Sequence, residues 1–415
     1  MGRRTYEDMC GAGVIWGYRR PIVVCGGVIP NVTTVRSFAD ALADAKGTIW
    51  VVGGKRIYEE ALQHPSCRAA YVTLIPGDHM TDVTVEMLSV VMANWKRTPV
   101  VEHAGLCFMF ERGGWKAEEK YLRLLSKLLV APIKKNRTGI DCRSLFGCML
   151  KYPLYDEFGN HIIPLFTTKR VPLRLVLSEL LWFISGGTNV DALHAANNHI
   201  WDGNSSREYL DGRGLAHYEV GELGPVYGFQ WRHYGAQYVP ESEDQPTTYA
   251  GIDQLQGLID GIKADPFGRR HVMTAWNPAD LDKMALPPCH HTVTVVVSEV
   301  GDKKHLRLLV DMRSNDMFLG HPFNAASYGL FAHMIAVLSG CIAVEVALVA
   351  ADTHLYVNHV EAVQTQLQRS ATGPPIVRFA ERCFGDGFTI DDFTAQDIEI
   401  VGYNPAGTIS AEMAV

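Results

Sequence analysis

The segment Pro172 to Gly187, PLRLVLSELLWFISGG, constrains this chain more than any other. Proline opens it and a glycine pair closes it, the punctuation of a helix. Almost every residue between them is apolar, so the helix has no face to give to water and must be covered on several sides. Glu179 stands in its middle. Burying a carboxylate costs several kcal/mol unless the group is paired or protonated. A structural reading pairs Glu179 with an arginine; a functional reading makes it a proton-handling acid. A core able to hold such a helix is affordable here, because 47% of the 415 residues are hydrophobic and only 20% charged. That length also favours two domains.

The 38 basic and 45 acidic residues leave a formal charge of -7, which argues against non-specific nucleic-acid binding while leaving room for local anion pockets. Nine cysteines at wide spacings, without a C-x-x-C pair, read as free thiols in a reducing compartment; a cytoplasmic location is expected, and Glu7 and Asp8 weaken the mitochondrial alternative. No structural metal site is expected. No apolar run reaches the roughly 18 to 20 residues of a spanning helix, so no membrane segment is expected either.

From Ile22 to about Phe110, short β-branched runs alternate with helical segments, as in an α/β domain. Thr48 to Val52 reads as a buried strand, Gly53-Gly54 as a turn, and Lys55 to Leu62 as a helix. The glycines either make a tight turn or admit a nucleotide pyrophosphate. A boundary falls at the glycine pair before Trp115, giving domains 1–114 and 115–415. A periodic helix follows from Lys116 to about Val130, with Tyr121, Leu124, Leu125 and Leu128 on one face and Pro132 as its stop.

Met284 to His291, MALPPCHH, holds a thiol behind two prolines and beside imidazole, before a strand expected over Thr292 to Val297. A thiolate is the working nucleophile and neighbouring cations favour it; alternatively, Cys289 is a small buried hydrophobe or part of a Cys-His protease dyad. Arg313-Ser-Asn-Asp316 offers a guanidinium fork and a hydroxyl suited to a phosphate dianion, and Arg269-Arg270 adds charge.

In order, NRTG at Asn136, PLFTTKR at Pro164, ELLWFI at Glu179, IWD at Ile200, GPVYGFQWRH at Gly224, MALPPCH at Met284, RSND at Arg313, PFNAASY at Pro322, HLYVNH at His354 and a terminal MAV resemble the thymidylate synthase family from about Glu118 to Val415. GRRTYE at Gly2 and WVVGGKRIYEEAL at Trp50 resemble the C-terminal portion of dihydrofolate reductase. Together they resemble the fused reductase-synthase of protists, shortened at the front. The resemblance implies an α/β (α+β) thymidylate synthase fold, dimerising through its sheet, behind a partial reductase-like α/β domain.

It also implies roles. Cys289 would attack dUMP, with 5,10-methylenetetrahydrofolate as co-substrate and dTMP and dihydrofolate as products. Glu179, Tyr227 and His290 would handle protons. Arg137, Arg313 and Ser314 would hold the phosphate, joined by Arg269 and Arg270 from the other subunit of a homodimer. Asn324 would read the uracil edge, and His354 and Tyr356 the sugar hydroxyl. Lys169, Trp201, Asn204, Asp316, Leu319, Gly320, Phe323 and Val415 would surround the folate.

Three positions depart from the family pattern: Asp141 and Ala351 stand in place of glycines, and Met312 in place of a glutamine. A carboxylate near a bound dianion is repulsive, and a side chain in a glycine position can strain a loop. A non-catalytic dimeric scaffold is therefore the rival reading, with RNA binding behind it. The reductase-like part starts where a third helix is expected, so it is not expected to reduce dihydrofolate, although Gly53 and Gly54 would be its contact with NADPH.

Overall fold

The computed structural model describes residues 1–13, 20–45, 48–74, 85, 87–88, 91, 95–101, 106–111, 115–136, 138–240 and 249–413. The chain divides into two compact units, Met1–Gly113 and Gly114–Val415. Arg137 and Val415 lie outside the described residues.

In the N-terminal unit, helix α1 (Arg3–Gly11) precedes a parallel pair, β1 (Ile22–Val24) and β2 (Thr33–Val35). Ser37 and Asp40 form a reciprocal capping box that starts α2 (Phe38–Asp44). Helix α3 (Lys55–Gln63) follows the glycine pair and turns Ile57, Ala61 and Leu62 inward. A separate antiparallel sheet has the order β3 (Ala69–Leu74), β5 (Leu106–Glu111), β4 (Lys96–Val101). The strand expected over Thr48 to Val52 does not form among the described residues. Trp50 is 59% exposed. The β-branched run is present, but a strand also needs a hydrogen-bonding neighbour, and this segment has none in either sheet.

The C-terminal unit is built on a six-stranded sheet in the order β6 (Ile133–Lys134), β7 (Cys142–Pro153), β11 (Ile342–Tyr356), β10 (Lys303–Asp316), β9 (His290–Val300), β8 (Val272–Thr274). Residues on alternate positions fill one face: Val293, Val295 and Val297 from β9, and Leu306, Leu308, Val310 and Met312 from β10. Against that face lie α4 (Lys116–Leu128), α8 (Tyr227–His233), α9 (Gln254–Ala264) and α10 (Gly320–Ser339), and α5 (Leu173–Ile184) packs on α8 and α10 in the same core. Small residues let α10 run through the middle of the core. Its Gly329 lies so close to Pro164 that an added Cβ would sit 2.5 Å from the proline Cδ. On the other face Phe146, Met149 and Val296 are exposed.

One line across the sheet is irregular, and it positions the site. β10 pairs with β9 through Asp311 and Thr292, then through Met312 and His290, leaving His291 as an extra residue on β9. On the same line Ala351 of β11 and Gly147 of β7 drop out of their ladder, and Gly147 adopts φ 67°. The bulge brings the start of β9 to the middle of β10, so the Arg313 amide donates to the Cys289 carbonyl at 2.9 Å.

Candidate active site

Cys289 stands at the mouth of β9, half-buried, at the end of the Pro287-Pro288 approach. Its backbone amide donates to the Tyr227 hydroxyl at 2.7 Å. Arg313 clasps the same segment: Nε donates to the Pro288 carbonyl at 2.9 Å and Nη2 to the Pro287 carbonyl at 2.8 Å. That Nη2 also lies 3.5 Å from the Cys289 sulphur. Positive charge held at this distance stabilises the anionic, nucleophilic form of a thiol. The third guanidinium nitrogen, Nη1, makes no hydrogen bond to a described residue, and so remains for an anion. The preceding Met284 and Ala285 are fixed in turn by Arg213, which donates to their carbonyls at 3.1 and 3.2 Å.

Glu179 projects from α5, which is apolar enough to be buried as expected. Among the described residues it has no cationic partner; the Trp201 indole donates to it at 2.8 Å instead. The carboxyl keeps some contact with solvent, yet desolvation raises its pKa to about 7, with the indole hydrogen bond acting the other way. At neutral pH it is divided between acid and base, the state that suits proton transfer. Of the two readings of Glu179, the pairing with arginine is not found among the described residues.

Aromatic packing joins the acid to the thiol. Tyr227 packs on Phe183 of α5 at 4.8 Å, and its ring stacks on His290 at 4.3 Å and 24°. The His290 imidazole shares a 2.6 Å hydrogen bond with the Tyr328 hydroxyl. Desolvation, with the charges of His291 and Arg313, lowers the His290 pKa to about 3, so this ring is neutral throughout the physiological range. It orders Tyr227 and Tyr328.

Ser314 and His354 face each other across β10 and β11, with Oγ and Nδ1 3.4 Å apart, and the His354 ring meets Tyr356 edge-on at 5.1 Å. Asp316 accepts from the amides of Phe318, Leu319 and Gly320 at 3.0, 3.3 and 3.4 Å and so fixes the entry to α10. Asn324 lies one turn along that helix, and its amide makes no hydrogen bond to a described residue. Phe323 is half-buried beside it. Lys169 is buried, donates to the Phe318 carbonyl and lies 3.8 Å over the Phe318 ring. Desolvation lowers its pKa to about 8, against the attraction of Asp316. Trp201 and Asn204 are buried on one short turn, in which the Asn204 amide donates to the Trp201 carbonyl at 3.1 Å.

Arg269 and Arg270 are not brought to this site within one chain. Both are exposed, and they line a separate open cavity of about 850 Å³ with Asp265, Phe267 and His271. In the N-terminal unit Gly53 and Gly54 have φ of 74° and 82°. A Cβ on Gly53 would lie 2.0 Å from Thr5 Cγ2, so packing inside the unit already demands glycine there.

Neither Asp141 nor Ala351 occupies the left-handed region, so neither strains its backbone. The Asp141 carbonyl accepts from the Val357 amide at 3.0 Å, and Asn136 shapes the preceding loop by accepting from the Thr138 amide at 2.8 Å. Met312 is enclosed in the core, where a thioether needs no polar partner.

Two contributors escaped the sequence reading. Glu118 is buried and accepts from the amides and hydroxyls of Thr167 and Thr168, holding the loop that leads to Lys169. Its spacing from Tyr121 and Leu125 puts it on the buried face of α4, a signal the sequence does carry. Tyr328 closes the PFNAASY run and stands four residues after Asn324 on the same helix, a spacing that the sequence also carries.

A rigid cysteine under a guanidinium, joined through packed aromatic rings to a desolvated carboxyl whose pKa is raised to about 7, is the arrangement of a nucleophilic enzyme. The thymidylate synthase family profile matches residues 119–415, and the dihydrofolate reductase profile residues 1–104. The chain is 38% identical over 437 residues to a bifunctional dihydrofolate reductase-thymidylate synthase of Zea mays, covering 95% of this chain and 81% of that protein. It is 46% identical over 303 residues to the thymidylate synthase of Homo sapiens, covering 72% of this chain and 91% of that protein. It is also 47% identical over 303 residues to a probable thymidylate synthase of Schizosaccharomyces pombe, a stretch that is 47% of that protein's length. The chain belongs to the bifunctional dihydrofolate reductase-thymidylate synthase family, its C-terminal unit being of the methyltransferase type.

Proposed function

We propose that the C-terminal unit converts dUMP to dTMP with 5,10-methylenetetrahydrofolate as co-substrate, releasing dihydrofolate. The observation that carries this reading is the Cys289 sulphur 3.5 Å from an arginine whose other contacts lock it to the nucleophile's own loop. The thiolate electron pair forms a bond to carbon 6 of the uracil, and the ring double-bond electrons pass to carbon 5 and the neighbouring carbonyl. The folate supplies the one-carbon unit and the hydride. Carbon 5 would bond to the folate methylene, then lose its proton as the methylene–nitrogen bond breaks. A hydride from the released tetrahydrofolate would reduce the exocyclic methylene to methyl as the Cys289 sulphur leaves, restoring the ring double bond and leaving dihydrofolate. Glu179, poised near neutrality, exchanges protons at the uracil carbonyl through water, and Tyr227 with neutral His290 keeps the network ordered. Arg313 Nη1 and Ser314 hold the phosphate with Arg137, while the Asn324 amide donates to and accepts from the uracil edge. His354 and Tyr356 take the sugar hydroxyl. Lys169, Trp201, Asn204, Asp316, Leu319, Gly320, Phe323 and Val415 form the folate wall.

The working form is a homodimer joined through the outward sheet face, where Phe146 is 92% exposed. Arg269 and Arg270 reach the partner's phosphate site. We propose further that the N-terminal unit does not reduce dihydrofolate by itself. NADPH consumption with dihydrofolate by the purified chain would refute that part.

The test of the main reading is intact-mass analysis after incubation with 5-fluoro-dUMP and methylenetetrahydrofolate. A covalent ternary adduct is expected in the parent and not in Cys289→Ser. Its absence from a folded, dimeric parent would transfer the chain to the scaffold reading.

A further inference from the structure

Away from the nucleophile, residues 194 to 202 bring three ligand-type side chains to one point of the surface. His194, on the short helix α6 (Asp191–Ala195), directs Nε2 at Oδ1 of Asp202 at 2.7 Å. His199, in the following turn, directs Nδ1 at the other oxygen, Oδ2, at 2.9 Å. The two rings lie 4.9 Å apart and 33° from parallel, and one ligand atom from each residue falls within 4.8 Å of the other two.

The backbone that carries them is pinned. Arg174 donates to the Ala196 and Asn197 carbonyls, the latter at 3.0 Å. Asn197 adopts φ 51°, a left-handed conformation that asparagine tolerates. Asn198 donates to the Leu175 carbonyl at 3.1 Å and to the Ser178 hydroxyl at 2.9 Å, fastening the turn to α5. Two imidazoles converge on one carboxylate from a fixed turn, whereas one imidazole would suffice for a surface ion pair.

We propose that His194, His199 and Asp202 form a site for a divalent transition-metal ion of the zinc class. Two nitrogen donors and one carboxylate are the donor set of that class, with water completing the coordination; calcium and magnesium require oxygen ligands throughout. The ion takes the place of the protons now shared between the rings and Asp202. Small ring rotations draw the three ligand atoms onto it at metal-ligand distances of about 2.0 to 2.2 Å. None of the three side chains is itself among the proposed dUMP and folate residues, although Asp202 lies between Trp201 and Asn204 on their turn, and metal binding does not depend on turnover.

The test titrates chelator-stripped full-length protein with Zn²⁺ alone, by calorimetry, beside His194→Ala and His199→Ala. The parent is expected to bind one more equivalent than either variant, or to bind it tighter by more than about tenfold. Cysteine background is common to all three proteins and cancels. With Co²⁺ as probe, the parent is expected to show visible ligand-field bands without thiolate charge transfer, and the variants to lose them. Equal Zn²⁺ stoichiometry and affinity in the three proteins overturns the site, as does a cobalt spectrum dominated by thiolate and unchanged in the variants. Both imidazoles are exposed, so metal-free melting temperatures should agree; His194→Gln replaces the alanine variant if they do not.

Discussion

Replacing Glu179 with glutamine should make the protein more stable and inactive at once, and the stability gain should depend on pH. The carboxyl pKa is raised from 4.5 to about 7 by desolvation. Below pH 4.5 the group is protonated in both folded and unfolded chains and contributes no difference. Between 4.5 and 7 the unfolded chain ionises while the folded one resists, so folding loses stability as pH rises. Above about 7 the full cost is present, about 3 kcal/mol at 1.36 kcal/mol per pH unit. Glutamine keeps the acceptor for the Trp201 indole and is never charged. Relative to the parent, Glu179→Gln should therefore gain about 2.5 kcal/mol more at pH 8.5 than at pH 5. Urea unfolding of both proteins at the two pH values reads this directly. His290, His321 and His333, all buried with lowered pKa values, are common to both proteins and cancel. Turnover should fall by a factor of about 100 or more. An equal stability change at both pH values, or a loss at pH 8.5, would refute the claim that the site holds a desolvated carboxyl.

Arg313→Lys keeps the charge but loses the fork that grips the Pro287 and Pro288 carbonyls. Alkylation of Cys289 by iodoacetamide should slow, by about tenfold, while an unchanged rate would remove Arg313 as the thiolate's partner. Glu118→Gln should lower stability by about 2 to 4 kcal/mol in urea, because an amide NH₂ would face the donors of Thr167 and Thr168. Asp141→Gly should tighten dUMP by about 1 kcal/mol, roughly fivefold in Kd by calorimetry, and no change would show that the loop already keeps the acid away from the phosphate.

What was legible in the sequence is what local pattern controls. The apolar run around Glu179 could only be an enclosed helix, and the prolines before Cys289 could only make a rigid approach. The bulge at His291 was not legible, because it depends on the register of β9 against β10, which no short segment contains. The partner of Glu179 was missed for a similar reason. Its carboxyl meets an indole from a separate turn, and no arginine among the described residues pairs with it. The misassigned strand at Thr48 to Val52 shows the converse: β-branched residues supply a preference, and a neighbouring strand must realise it.

The clasp made by Arg313 has an uneven mutational exposure. Its acceptors are the carbonyls of residues 287 and 288, and Arg213 likewise grips the carbonyls of 284 and 285. Main-chain oxygens survive every substitution at those four positions. Drift there can bend the loop but cannot delete an acceptor, so the hydrogen bonds that aim the nucleophile are lost outright only by change at the two arginines or at Tyr227, whose hydroxyl accepts from the Cys289 amide. Inactivating lesions in this loop's support should therefore concentrate at three codons, those of Arg213, Tyr227 and Arg313, away from Cys289 in sequence.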